Sequence, residues 1–297
     1  MSEKKHLSLD EITLKQWIIL VLLSSVVGYL LACVVGAFFM VMKFDGEWSW
    51  LSSVLSTFVA SAVLYLLFVV FLHKVCKTTV RELLVGENNS IDWRQTVTVG
   101  GLYLVGFLIA TFLLSGFGKN LSLNTASAGV ILVNFVLAVV FTWMQTTWEE
   151  FLFRAIPLRW ACGNNIRANK RAIVLSVVIS ALFMLAHFGN PEIVSQSGAL
   201  DLACMALSYF LAGFVMYMAD IAYGNMMPGC AIHWVNNFMA FAVINQVGTA
   251  VATQAIVIDS TSTAGVTSLA LYVVAYLPLV IYTALMLKKR KAAKTEE

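Results

Sequence analysis

VILVNFVLAVVFTWMQTTWEEFLFRAIPLRW, residues 130–160, decides how this chain must be read. It is long and apolar enough to cross a bilayer, which takes about 20 mostly apolar residues because lipid offers no partner to an open backbone hydrogen bond. Yet its second half carries Glu149, Glu150 and Arg154. Ionisable groups at such depth cost on the order of several kcal/mol unless they are paired or face a wet cavity, so each needs a reason to be there.

Seven further segments pass the same length and polarity test: 17–42, 51–72, 96–115, 172–188, 200–223, 227–247 and 268–287. The first follows a polar stretch and is too long for a signal-peptide core, so it is expected to be retained. Across all 297 residues, 60% are hydrophobic and 12% charged, and the mean hydropathy is +0.84. That charge is about half of what a soluble domain carries, which excludes a cytosolic enzyme, a disordered tail protein and a nucleic-acid binder. No stretch alternates with period two as a membrane barrel would, and no internal repeat points to a transporter of inverted halves. Cys33, Cys76, Cys162, Cys204 and Cys230 are far apart without CxxC spacing, as expected of small apolar residues inside helices.

Basic residues orient the bundle. With eight crossings and both termini cytoplasmic, 17 of the 19 Lys and Arg residues fall on the inner side, leaving Lys43 and Lys119 outside, the bias of the positive-inside rule. Arg159, Arg167, Lys170 and Arg171 are expected at the cytoplasmic interface, and Trp48, Trp50, Trp93 and Trp160 in an interfacial belt. The segment 79–95 reads equally as a short interfacial helix with a loop or as a loop alone. The outer loop 248–267, rich in Thr, Ser, Ala and Gly, carries no visible chemistry.

The polar residues inside the spans cluster on three of them. Glu150 and Arg154 are four apart and can pair on one helix face; Glu149, about 100° round the helix, points elsewhere. The fifth span ends at Phe183-Met184-Leu185-Ala186-His187, and the seventh carries His233-Trp234-Val235-Asn236-Asn237, whose His233 and Asn237 share a face. Counted along straight helices from the inner ends, Glu149 lies about 16 Å deep, His233 about 8 Å and Asn237 about 13 Å, while His187 at about 24 Å sits one to two turns too high. Asn225 and Pro228 mark the start of the seventh span.

Glu149-Glu150-Phe151-Leu152-Phe153-Arg154 (EExxxR), Phe183 to His187 (FxxxH) and His233 to Asn237 (HxxxN) stand in order on alternating spans. In this the sequence resembles the family of CAAX proteases and bacteriocin-processing enzymes, which includes the type II CAAX prenyl endopeptidases. The resemblance covers about residues 140–245 and implies an intramembrane, glutamate-dependent peptide hydrolase. Glu149 would take a proton from water as general base, with His187 holding that water. His233 and Asn237 would donate to the oxyanion. Glu150 and Arg154 would form a charge-balancing pair, with Phe183 in support. A variant places a divalent metal such as zinc on Glu149, His187 and His233; the spacing is not HExxH and gives that variant no independent support.

Taken singly, each group has a plain structural reading: an ion pair tying helices, a histidine bonded to a carbonyl, Asn236 and Asn237 as interhelical contacts, Asp220 as a helix-end residue. Their joint occurrence favours a site. The expectation is an all-α polytopic membrane protein of about eight transmembrane helices. Residues 1–127 form a variable three-span region, 128–248 the protease core on spans four to seven, and 249–297 an outer loop, a last span and a basic tail. It would act in a bacterial plasma membrane, surrounded by lipid, on a peptide or membrane-protein substrate of CAAX or leader type. The alternatives are a non-catalytic scaffold or immunity factor of the same fold and, more distantly, a proton-coupled transporter.

Overall fold

The computed structural model describes residues 12–22, 26–42, 44–86, 90–167, 169–248, 253–261 and 264–296; Lys4, Lys5, His6 and Lys43 lie outside them. Twelve α-helices occur among the described residues: α1 (Leu14–Leu22), α2 (Gly28–Val41), α3 (Leu51–Lys74), α4 (Val80–Val85), α5 (Trp93–Leu114), α6 (Ala128–Glu150), α7 (Ile156–Cys162), α8 (Lys170–Ala186), α9 (Pro191–Val194), α10 (Ala199–Tyr223), α11 (Met227–Phe238) and α12 (Gly265–Glu296). Five helical stretches among these residues are long and apolar enough to cross a membrane: 46–74, 93–114, 128–162, 199–223 and 265–288. Their outward faces are rich in exposed Leu, Val, Ile and Phe. The chain is a mostly helical, polytopic membrane protein.

The described residues of all eight apolar segments are largely helical, but three segments lack a single α-helix long enough for a full crossing. The described residues of segment 17–42 include α1 and α2, of 9 and 14 residues, α8 has 17 residues, and α11 has 12 and runs on as a π-turn, Met239–Val243. The seventh segment then ends not as helix but as strand β2 (Ile244–Gln246), which pairs in parallel with β3 (Val257–Asp259). The first strand in the chain, β1 (Leu121–Leu123), pairs antiparallel with β3. This small sheet is a departure from the all-α expectation, and it gathers the ends of α5, α11 and the outer loop into one cap. Val257 and Ile258 supply the β-branched residues that favour it.

Pro157 explains the break in the fourth span. A proline lacks the amide proton and its ring clashes with the carbonyl four residues back. Phe151–Ala155 accordingly forms a π-turn between α6 and α7, with the Ile156 amide bonded to the Phe151 carbonyl. Single π-turns of this sort recur at functional sites; here the turn contains Arg154.

Within segment 79–95 the described residues form the short helix α4 and the first turn of α5. Thr79 and Glu82 form a capping box at α4, bonding two otherwise orphan amides. The open carbonyls at the far end of α4 are met by Arg159, which donates from Nε to Leu83 O at 2.9 Å and from Nη2 to Leu84 O at 3.3 Å. Arg159 is therefore fully buried rather than an interface anchor, because unpaired helix-end carbonyls need a donor. Trp50 likewise leaves the expected belt: it packs with Val54 and Phe58 in the core, whereas Trp48, Trp93 and Trp160 remain exposed. Cys76 lies just beyond α3 rather than inside a helix, and burial pushes its thiol up to about 11.

Close approach between α5 and α12 depends on Gly106, where a Cβ would overlap the Ala275 carbonyl. Tyr103, Phe107 and Ala110 of α5 pack there with Ala275, Tyr276 and Leu279 of α12.

Candidate active site

Glu149 and Glu150 end α6 just before the π-turn, and the two carboxylates take the two nitrogens of one imidazole. Glu150 Oε1 is hydrogen-bonded to His233 Nδ1, and Glu149 Oε2 lies 3.5 Å from His233 Nε2. Neighbouring side chains on a helix diverge by about 100°, so Glu149 was expected to point away. Instead α11 inserts His233 between them.

Glu150 also pairs with Arg154, whose Nε lies 3.3 Å from Asp220 Oδ2. Asp220 in turn accepts the Gly229 amide at 2.7 Å. These charged groups are almost fully buried, which lipid-depth chemistry tolerates only for paired charges. Asp220 is thus part of the support and not merely a helix end. Gly229 is required where it stands, because a Cβ there would sit 2.7 Å from Asp220 Oδ2 and 2.8 Å from Oδ1. The turn that brings α11 to this point begins at Gly224, left-handed at φ 80°, and Asn225 accepts the Met227 amide at 3.0 Å.

The Glu150 carboxylate, already paired with Arg154, can only accept. His233 must therefore carry its proton on Nδ1, leaving a lone pair on Nε2. Asn237 Nδ2 meets that lone pair at 3.3 Å and also donates to Gln145 Oε1 at 2.8 Å. Gln145 completes the ring by donating to Glu149 Oε1. Asn236 donates to Asn237 Oδ1 at 2.9 Å and accepts from Tyr103 OH at 2.7 Å. The tautomer matters: neutral His233 cannot donate from Nε2, so the expected oxyanion role requires a second proton on this ring.

His187 lines the same cavity as Glu149, His233 and Asn237, despite the depth count that set it one to two turns too high. That count assumed straight, upright helices with one baseline, and interrupted helices on either side remove the assumption. Its Nδ1 is 2.7 Å from the Phe183 carbonyl, so the proton sits there and Nε2 is free to accept. The ring stacks on Tyr209 at 4.7 Å and lies 4.3 Å from Phe183. Phe183 also meets His233 edge-on at 6.2 Å, which makes it the spacer between the two imidazoles.

The cavity has a volume of about 300 Å³, room for a short length of peptide. Tyr272 and Tyr276 of α12 line it, and these, like Tyr103 of α5, come from outside the segment 128–248. Among the described residues no three His, Cys, Asp or Glu side chains form a metal-ligating group. Glu149, His187 and His233 line this cavity without forming such a group.

Of the residues singled out in the sequence, Glu149, Glu150, Arg154, Phe183, His187, His233 and Asn237 all come together. Gln145, four residues before Glu149 and on the same face, had a spacing signal. Glu192 and Tyr209, also in the cavity wall, had none.

Residues 128–239 match the family described as type II CAAX prenyl endopeptidase Rce1-like. The chain is also 26% identical over 161 residues to the uncharacterized protein YyaK of Bacillus subtilis (strain 168), an alignment covering 54% of this chain. The chain spans about half the length of that curated relative. No solved structure matches. The three motifs fold into one cavity inside the matched segment 128–239, so the likeness to the Rce1-like type II CAAX prenyl endopeptidase family falls on the residues that build the site.

Proposed function

We propose that the chain is an intramembrane endopeptidase, hydrolysing a peptide bond of a membrane-associated protein or peptide through a water activated by Glu149. The observation that carries this reading is the 3.5 Å approach of Glu149 Oε2 to His233 Nε2 in the wall of a cavity shared with His187 and Asn237.

His187 Nε2 accepts from the water and orients it. Glu149 removes one of its protons as the oxygen attacks the carbonyl carbon, forming a tetrahedral oxyanion. The proton passes to His233 Nε2, and the resulting imidazolium is stabilised by the carboxylate of Glu150 on Nδ1. A protonated Nε2 no longer accepts from Asn237, so Asn237 Nδ2 and His233 Nε2 can both donate to the oxyanion. When the carbon–nitrogen bond breaks, the leaving amine takes its proton from this ring. Glu150, Arg154 and Asp220 keep His233 in the required tautomer and position.

The reading extends to eight crossings with both termini cytoplasmic in a bacterial plasma membrane. The inner-side bias of Lys and Arg supports it, even without the buried Arg154 and Arg159. Residues 128–248 supply the reacting groups, and the flanking helices complete the walls.

The test is cleavage of a mixed peptide library by the purified full chain in lipid nanodiscs, read by mass spectrometry. Wild type is expected to yield discrete products, and Glu149→Gln and His187→Ala to yield none while keeping the wild-type unfolding temperature. Undiminished turnover in both variants would overturn the mechanism. A cellular phenotype that survived Glu149→Gln would favour a scaffold role.

A further inference from the structure

Beside the catalytic cavity lies a second one of about 130 Å³, and Glu192, Tyr209, Asn236, Ala240 and Tyr272 belong to the walls of both. The second cavity extends away from Glu149 toward the strand cap, where it meets Gln246 and Asp259. Among the described residues no Lys or Arg lines either cavity, whereas Glu149, Glu192 and Asp259 do.

Glu192 stands at the junction. It is 9% exposed, on the short turn α9 between His187 and α10. Its Oε1 accepts from Tyr209 OH and, at 3.3 Å, from Asn190 Nδ2. Asn190 also donates to Tyr209 OH at 2.9 Å. Its other oxygen, Oε2, is buried without a hydrogen-bond partner. A buried carboxylate oxygen in a wall that contributes no cation is an incomplete arrangement, since such a group is costly until a donor or a positive charge reaches it. Asp259 accepts at Oδ1 from the Thr261 amide at 2.9 Å and its hydroxyl at 2.5 Å, and among the described residues it has no buried oxygen without a partner, so of these two carboxylates Glu192 is the one left to recognise something.

We propose that the second cavity is a substrate subsite for a cationic group, an ammonium or guanidinium, held by Glu192. This deepens the proposed endopeptidase reading and rests on it for the word substrate. The link to the chemistry is short: the His187 ring stacks on Tyr209, and the Tyr209 hydroxyl bonds Glu192. A peptide advances about 3.3–3.6 Å per extended residue, so the group recognised belongs to a residue near the scissile bond. The source of the charge is either a Lys or Arg side chain or the free amino terminus of a peptide.

The experiment measures binding separately from turnover. Fluorescent peptides of one length, differing at a central residue (Lys, Arg, Gln or Glu) and with either a free or an acetylated amino terminus, are titrated onto the full-length Glu149→Gln variant in nanodiscs of zwitterionic lipid. The Lys and Arg peptides are expected to bind about tenfold tighter than the Gln peptide, and the Glu peptide most weakly. A gain confined to the free amino terminus would assign the subsite to that group instead. Adding Glu192→Gln is expected to bring the ratio to about one, and Glu192→Lys to invert it. Equal affinities for Lys, Gln and free-terminus peptides, or a preference that survives Glu192→Gln, would overturn the proposal. Cleavage by wild type without charge preference would sink the subsite alone; charge-selective binding without any cleavage would sink the endopeptidase reading alone.

Discussion

Glu150 holds His233 by Nδ1 across the contact between α6 and α11, and both side chains are buried, at 1% and 6% exposure. The bond does two things at once. It fixes the imidazole tautomer, and it places a carboxylate where an imidazolium would need one. Removing it in two ways should therefore give two different outcomes. Glu150→Gln keeps an acceptor for Nδ1 but loses the charge, so a folded protein with turnover reduced about 10–100-fold is expected. Glu150→Ala leaves Arg154 with only Asp220 and should cost about 3–5 kcal/mol of stability. Thermal unfolding and peptide cleavage measured side by side separate the two; equal stability loss in both variants would show the Glu150 charge to be structural alone.

Glu149 should behave in the opposite way. It is 18% exposed and carries no ion pair with Arg154, so little of the fold depends on it. Glu149→Gln preserves shape, removes the base, and is expected to lower turnover by about 10²–10⁴. Its unfolding temperature should stay within experimental error of wild type. A large fall in that temperature would make Glu149 a structural residue and weaken the case for its role as base.

Much of this site was legible because spacing on a helix is geometry: Glu150 to Arg154 and His233 to Asn237 could be paired from numbers alone. The convergence of three spans came from charge in lipid, which demands partners. What could not be read was anything dependent on how far α11 inserts. Glu149 and His233 were expected in one site, but the entry of His233 between Glu149 and Glu150 is set by the turn at Gly224 and by the Asp220–Gly229 contact, which no periodicity records. Arg159 was misplaced for a related reason. A basic residue at a span end reads as an interface anchor until α4 is seen to offer its open carbonyls. The strand cap escaped notice because three-residue strands carry too little alternation to register.

Gly229 offers a test of that insertion. Its amide reaches Asp220 at 2.7 Å, and a methyl group in place of its hydrogen would press on both oxygens of the same carboxylate. Gly229→Ala should force Asp220 away from Arg154, costing about 1–3 kcal/mol by overpacking. Because α11 carries His233 and Asn237, the same change should lower turnover more than a distant substitution of equal stability cost. Gly106→Val, where the side chain would overlap the Ala275 carbonyl, is a suitable comparator, being destabilising through the α5–α12 contact instead. Equal ratios of activity to folded fraction in the two variants would show that α11 is not positioned through Gly229.

Metal dependence can be decided by a removal experiment. Two of the proposed ligands, Glu149 Oε2 and His233 Nε2, are 3.5 Å apart, close to the separation of two ligands on one zinc with bonds of about 2.0–2.2 Å. Against this, His233 Nε2 is engaged by Asn237 at 3.3 Å, and no third ligand joins them into a group among the described residues. A water-based mechanism therefore predicts that protein dialysed against a strong chelator keeps its full turnover, and that elemental analysis finds well under one zinc per chain. Loss of turnover on dialysis, restored by stoichiometric zinc and absent in His187→Ala, would instead mean that both imidazoles turn their free Nε2 atoms to a metal, and that Glu149 is a ligand rather than the base.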